Sequence, residues 1–251
     1  MNNIKKIYNF FNDDTLYYSA SLSFFTIFSL LPILALVIVV MSSSSIFSQN
    51  IDILMLYVLD FVNPTHSSAV TNAINHFITN IDELGNLGLI YLFFVFTMFF
   101  KDYEYIVSKI HHTKKRSFIA LVILYIGFLF LIPVTFVVLT FLNSFLHNQL
   151  LASILNSLFG LLMMTILFKI SVNTHISLKA SFISAFLTLG ILKTTQILFI
   201  YYVLYNTTYS TIYGTLSVLL FLFLWIYISW TIYLYGIKLC HQLNMEYKKY
   251  Q

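Results

Sequence analysis

The chain predicts an all-α integral membrane protein: six transmembrane helices, both termini on the cytoplasmic side, and amphipathic helices in the first external segment. Three observations predict it. Hydrophobic residues make up 59% of the sequence and charged residues only 9%, against roughly 25% charged in an ordinary soluble domain. Apolar runs of about 20 residues, the length that crosses a bilayer, recur along the chain. The basic residues then fall on a single side when spans and loops are counted in alternation. A β-barrel would show short alternating segments in place of these continuous runs.

The spans are read at about 22–41, 87–106, 118–142, 150–168, 180–204 and 213–239, within a single membrane domain over 1–251. The first, Leu22 to Met41, is too long for a typical signal-peptide core and is expected to stay uncleaved. Pro32 lies inside it, removes a backbone donor and frees the carbonyl of Phe28, which predicts a kink. Segment 42–83 is the one long external stretch. It carries four acids (Asp52, Asp60, Asp82 and Glu83) and no Lys or Arg. Ile51, Leu54, Met55, Val58 and Val62 repeat at helical spacing before Asn63-Pro64 breaks the pattern; Ala73, Ile74, Phe77, Ile78 and Ile81 form a second run. Two short helices on the membrane surface or capping the bundle fit this pattern. The second span continues as a helix through Lys101 to Tyr105 and reaches the basic turn His111 to Arg116. Pro133 lies inside the third. The short turn Tyr205 to Thr208 makes the last two spans antiparallel neighbours.

Orientation follows from the charges. One side receives Lys5, Lys6, Lys101, Lys109, Lys114, Lys115, Arg116, Lys169, Lys179, Lys238, Lys248 and Lys249; the other receives none. The positive-inside rule makes that side cytoplasmic. The single Cys240 excludes an internal disulfide.

Lys193 is the one charge deep inside an apolar span, with Gln196 one turn on. A lysine at that depth costs about 2.5–3.5 kcal/mol on insertion scales and is a functional candidate by default. Two readings stay open: a contact for an anionic or headgroup-like ligand, or a snorkelling, hydrogen-bonded structural lysine. Hydroxyls gather on Ser19, Ser23, Thr26 and Ser29 in the first span and on Ser181, Ser184, Thr188 and Thr195 in the fifth. A third face carries Tyr213, Ser217, Tyr227, Thr231 and Tyr235 in the sixth. Such faces serve close helix packing or line a polar path, and packing is the simpler reading. Ser23, Thr26, Ser217 and Tyr227 join Lys193 and Gln196 as candidate intramembrane polar contacts. Lys114, Lys115 and Arg116 form a basic cluster suited to anionic lipid at the membrane surface. Asp102 and Glu104 are a close acid pair, but two-metal hydrolysis wants more convergent ligands than they offer. No HExxH spacing, Walker loop or GxSxG elbow occurs.

The stretch Tyr209-Ser210-Thr211-Ile212-Tyr213-Gly214-Thr215-Leu216-Ser217, then Leu224-Trp225-Ile226-Tyr227 and Tyr235-Gly236, resembles the last span of the YihY/BrkB family of bacterial inner-membrane proteins, also labelled ribonuclease BN. Ala20-Ser21-Leu22-Ser23-Phe24-Phe25-Thr26 and Ser29-Leu30-Leu31-Pro32 resemble its first span, and Phe100 to Ile110 resembles a third region more weakly. The family's Glu after the last-span glycine is Lys238 here; its Asn and Trp after the second span are Ser108 and His111. The resemblance implies a multi-pass protein of the bacterial inner membrane, in a family for which envelope integrity, serum resistance and lipid or solute export have been suggested. The function expected is handling or transport of a lipid or other amphiphile. The alternative is a structural or assembly component that binds an envelope partner through segment 42–83; a transfer-RNA-processing ribonuclease is the remote third. Membrane lipids are the expected partners, with no nucleic acid, cofactor, metal or catalytic residue.

Overall fold

Seven helices run over the residues that this computed structural model describes, which are 14–42, 53, 55–56, 59–60, 64, 67–80, 85–146, 148–206 and 216–249. They are α1 (Thr15–Ser42), α2 (Ser68–Thr79), α3 (Gly85–Ile110), α4 (Phe118–Ser144), α5 (Gln149–Ile170), α6 (Leu178–Tyr205) and α7 (Leu216–Lys249). Residues 53, 55–56 and 59–60 are helical as well. Among the described residues three helices, α5, α6 and α7, are long and apolar enough to cross a membrane. A fourth is added if α1 counts as one span across a 46° bend between Thr15–Leu30 and Pro32–Ile38. That bend falls at the proline, where the missing donor and the ring clash break the helical ladder.

Local chemistry sets the helix ends. Ser117, Asn148 and Ser177 stand at N-caps in extended conformation and accept from the backbone N–H of Ala120, Leu150 and Ala180, meeting donors that a helix start leaves unpaired. At the end of α3, His112 has φ 52, while the N–H of Thr113 bonds the carbonyl of Ser108 and that of His112 bonds Lys109. This is the Schellman arrangement, with a histidine where glycine is usual.

The long helices alternate in direction. The start of α1, the end of α3, the start of α4, the end of α5, the start of α6 and the end of α7 meet at one end, here called the basic end. It carries Lys101, Lys109, Lys114, Lys115, Arg116, Lys169, Lys179 and Lys238. α7 packs most extensively on α6 and α1, α1 on α3, and α5 on α6. The main core draws on all six long helices and, apart from Val37, Met41 and Phe96, lies toward the basic end: Leu22, Tyr103, Val107, Tyr125, Phe168, Ala185 and Leu234 are typical. Two smaller clusters lie toward the other end. One joins Leu34 and Ile38 of α1 to Ile74 of α2 and Leu92 of α3; the other joins Phe199 of α6 to Phe221 and Trp225 of α7.

Two elements run further than the sequence indicates. α1 begins at Thr15 instead of Leu22: Thr15 and Ser19 are both buried, and Ser19 donates its hydroxyl to the Thr15 carbonyl at 2.8 Å. α7 continues to Lys249, ten residues past 239. There Asn244 is buried and grips the start of α6, accepting from the Ser177 N–H at 2.9 Å and donating to the His175 carbonyl at 3.3 Å. The second amphipathic run is α2, whose buried Ile74 faces the bundle. Most of the first run, the turn at Thr207 and Thr208, and residues 209–215 of the family-like stretch lie outside the described residues.

Candidate functional site

Lys193 and Gln196 sit near the middle of α6, and the Lys193 Nζ donates to Gln196 Oε1 at 3.3 Å. Lys193 is exposed on the outside of the bundle and Gln196 is half-buried. Their neighbours Leu187, Ile191, Ile197 and Leu198 are exposed large apolar residues. Among the described residues the charge therefore stands on an exposed, largely apolar helix surface, outside the packed interior.

The other candidate contacts are not gathered around it. Ser23 is buried and donates to the Ser19 carbonyl of its own helix. Thr26 donates to the Leu22 carbonyl at 2.6 Å and accepts from the Trp230 indole N–H at 2.7 Å, tying α1 to α7. Ser217 is buried, Tyr227 is half-buried, and the Tyr227 carbonyl accepts from Thr231 at 2.8 Å. On α6, Ser181, Ser184 and Thr188 are buried. They face α7, where a Cβ on Gly236 would come within 2.1 Å of Thr188 Oγ1 and 2.9 Å of Phe168 Cζ. These hydroxyls largely return their protons to their own helix carbonyls, which lets the backbones approach closely. Lys193 lies round the helix from that packing face.

The basic cluster divides. Lys114 and Lys115 are exposed, with Lys115 Nζ 4.1 Å from the centre of the Tyr105 ring, a cation–π distance. Arg116 turns inward. Its guanidinium meets Glu104 at 2.8 Å, its own N–H reaches the same carboxylate at 3.1 Å, and it donates to the carbonyls of Ser171 and Ile170. Glu104 is 1% exposed. Asp102 is half-buried, so the two acids point into different surroundings. Among the described residues no group of three or more His, Cys, Asp or Glu is placed to hold a metal ion.

Beside this pair lies a polar chain that the sequence does not announce. Tyr103 of α3 bonds Ser171 at 2.7 Å and Tyr233 of α7 at 2.6 Å. Ser171 donates to the Leu167 carbonyl, so its single proton is committed. Tyr103 must then donate to Ser171 and accept from Tyr233, and the chain runs one way, Tyr233 to Tyr103 to Ser171 to Leu167. Tyr125 packs over Phe100 with ring centres 4.0 Å apart and reaches Glu104 at 3.4 Å. The signal that could have found this shell is composition: Arg116 is the only arginine among thirteen basic residues, and the planar fork suits a buried, bidentate role that lysine does not.

Just past α3, His111 is buried against His241 of α7, with ring centres 4.8 Å apart, and bonds the Ile237 backbone. Burial first, then the neighbouring His241, pulls its pKa down to about 3, so the imidazole is neutral under ordinary conditions.

Long apolar helices closed around a core, with a lysine facing outward among apolar side chains, define an α-helical membrane protein. The chain belongs to the virulence factor BrkB family, whose sequence pattern matches residues 7–250. It is similar to a UPF0761 membrane protein of Legionella pneumophila, 21% identical over 97% of this chain and 62% of that protein. Similar proteins of the same name occur in Haemophilus influenzae (24% identical; 90% of this chain, 88% of the relative) and Alteromonas mediterranea (25% identical; 90% and 82%). The chain thus spans 62% of the length of the Legionella relatives. No solved structure matches it.

Proposed function

We propose that this chain is a six-span, non-enzymatic protein of the bacterial inner membrane, with both termini cytoplasmic, that handles or transports a lipid or other amphiphile for envelope integrity. The observation that carries the reading is the Lys193–Gln196 pair, set on the outer surface of α6 near its middle. An ammonium facing acyl chains is costly, and a polar group arriving from the lipid phase offsets that cost. Six spans are supported by helix length: the six long helices have 22 to 34 residues, and a helix rising 1.5 Å per residue covers about 30 Å of hydrocarbon in about 20. The cluster of lysines at the basic end supports the orientation.

The test is purification in native lipid, identification of co-purifying amphiphiles, and repetition with Lys193→Met. The expected result is a bound lipid that falls several-fold in the variant at an unchanged melting temperature. Equal occupancy returns Lys193 to a structural role. The second reading, an assembly component, then leads. It rests on Ile53 and Leu56 of the segment between α1 and α2, which are 40% and 64% exposed and offer apolar surface to a partner. The ribonuclease reading gains nothing from Glu104, whose carboxylate is held by Arg116.

A further inference from the structure

The geometry points to a lipid phosphodiester as the group that Lys193 and Gln196 bind, an assignment that rests on the lipid-handling reading above. The donors that the pair leaves unused define the ligand. Lysine offers three N–H donors and no acceptor, and glutamine two donors and one acceptor oxygen. The Lys193 Nζ uses one donor on the Gln196 oxygen. Two ammonium donors and both amide donors remain, clustered on one turn beside a full positive charge, and no further partner meets them among the described residues. The complementary ligand is an anion with several acceptor oxygens and no proton to give.

Space and surroundings narrow the choice. One turn before Lys193, Gly190 is exposed, and a Cβ built on it would have nothing within 4 Å. Thr194 beside it is exposed and donates to the Gly190 carbonyl at 2.9 Å. The helix surface at Gly190, one turn from the ammonium, is therefore open to an approaching group. The flanking Ile191, Ile197 and Leu198 are exposed apolar residues suited to acyl chains. In such a setting a fatty-acid carboxylate can neutralise itself by taking up a proton, as buried carboxyls do. A phosphodiester is far too strong an acid to do so, and needs a resident counter-charge.

The experiment measures retention of phosphatidylglycerol, phosphatidylethanolamine, diacylglycerol and oleate by the purified full chain in detergent, using native mass spectrometry. It compares wild type with Lys193→Met, Lys193→Arg and Gln196→Glu. Both phospholipids should bind at least ten-fold more tightly than diacylglycerol or oleate. Binding should be lost in Lys193→Met and in Gln196→Glu, whose new carboxylate occupies the ammonium and repels phosphate, and kept in Lys193→Arg. A lysine that merely snorkels predicts no loss in Gln196→Glu, which would overturn the assignment. Diacylglycerol or oleate bound as well as phospholipid, with all binding lowered in Lys193→Met, overturns the phosphate assignment and leaves lipid handling standing. Identical retention in wild type and every variant overturns both. Melting curves for each variant, with Gln196→Glu and Lys193→Arg as surface changes, separate lost binding from lost fold.

Discussion

Arg116 meets Glu104 twice, through its guanidinium at 2.8 Å and through its own backbone N–H at 3.1 Å. The side chains are 12% and 2% exposed, so the pair is nearly dry. Because the same guanidinium also reaches the carbonyls at the end of α5, one side chain holds the α3–α4 turn against two helices. Removing one member of a buried pair strands the other charge and costs about 3–5 kcal/mol. Arg116→Met should lower the unfolding midpoint in detergent accordingly, while the exposed Lys114→Met should leave it unchanged. Equal effects of the two would show that the pair contributes little.

Gly236 is the close-approach point of α7 on α6. A methyl group there would meet Thr188 Oγ1 at 2.1 Å. Thr188 is β-branched and held by its bond to Ser184, so it cannot swing clear cheaply. Gly236→Ala should cost about 1–3 kcal/mol as an overpacked contact. Adding Thr188→Ala should recover part of that loss, which a double-mutant cycle on thermal unfolding would register as coupling. Simple additivity would place the strain elsewhere.

His112 holds a left-handed conformation without being glycine. A side chain in that region costs about 1–2 kcal/mol, partly offset by glycine's larger loss of freedom on folding. His112→Gly should therefore stabilise the protein by about 0.5–1 kcal/mol, read as a raised unfolding midpoint, whereas His112→Ala should not.

His111 gives stability a pH slope. Its folded pKa is lowered to about 3 from an ordinary value of 6.5, so between those values the unfolded chain takes up a proton that the folded one refuses. Its contribution is fully present above about pH 6.5 and is lost as pH falls toward 3. Unfolding midpoints measured from pH 7 to pH 5, above the usual carboxylate range, should decline for wild type and flatten for His111→Gln. A decline unchanged in the variant would assign it to another group.

Much of the helix layout was legible in residues 149–205. The apolar runs read at 150–168 and 180–204 are the helices Gln149–Ile170 and Leu178–Tyr205, because Asn148 and Ser177 mark the starts and the apolar stretch leaves no alternative. The start of α1 and the end of α7 were less legible: both are amphipathic ends packed by hydroxyls and by Asn244, which a hydropathy reading treats as polar flank. The site was legible only as separate parts. Lys193 stands out by charge, but which way it faces depends on how α6 meets α5 and α7. Arg116 reads as one of three surface cations until Glu104, twelve residues earlier, and Ile170 and Ser171, on another helix, come within reach. Such partners leave no periodicity in the chain.

The distribution of the core has a mechanical consequence. At the basic end the main cluster draws on every long helix, and the Tyr233–Tyr103–Ser171 chain and the Arg116 fork stitch α3, α5 and α7 together. Among the described residues the ties toward the other end are local groups: Leu34 with Ile74 and Leu92, Phe199 with Trp225, and Asn143 with Asn156 at 2.8 Å. Among the described residues the bundle is fastened at its basic end like fingers at a palm. A strain applied there is shared by α3, α5 and α7 together, whereas one applied at a local group is borne by the two or three helices that it joins.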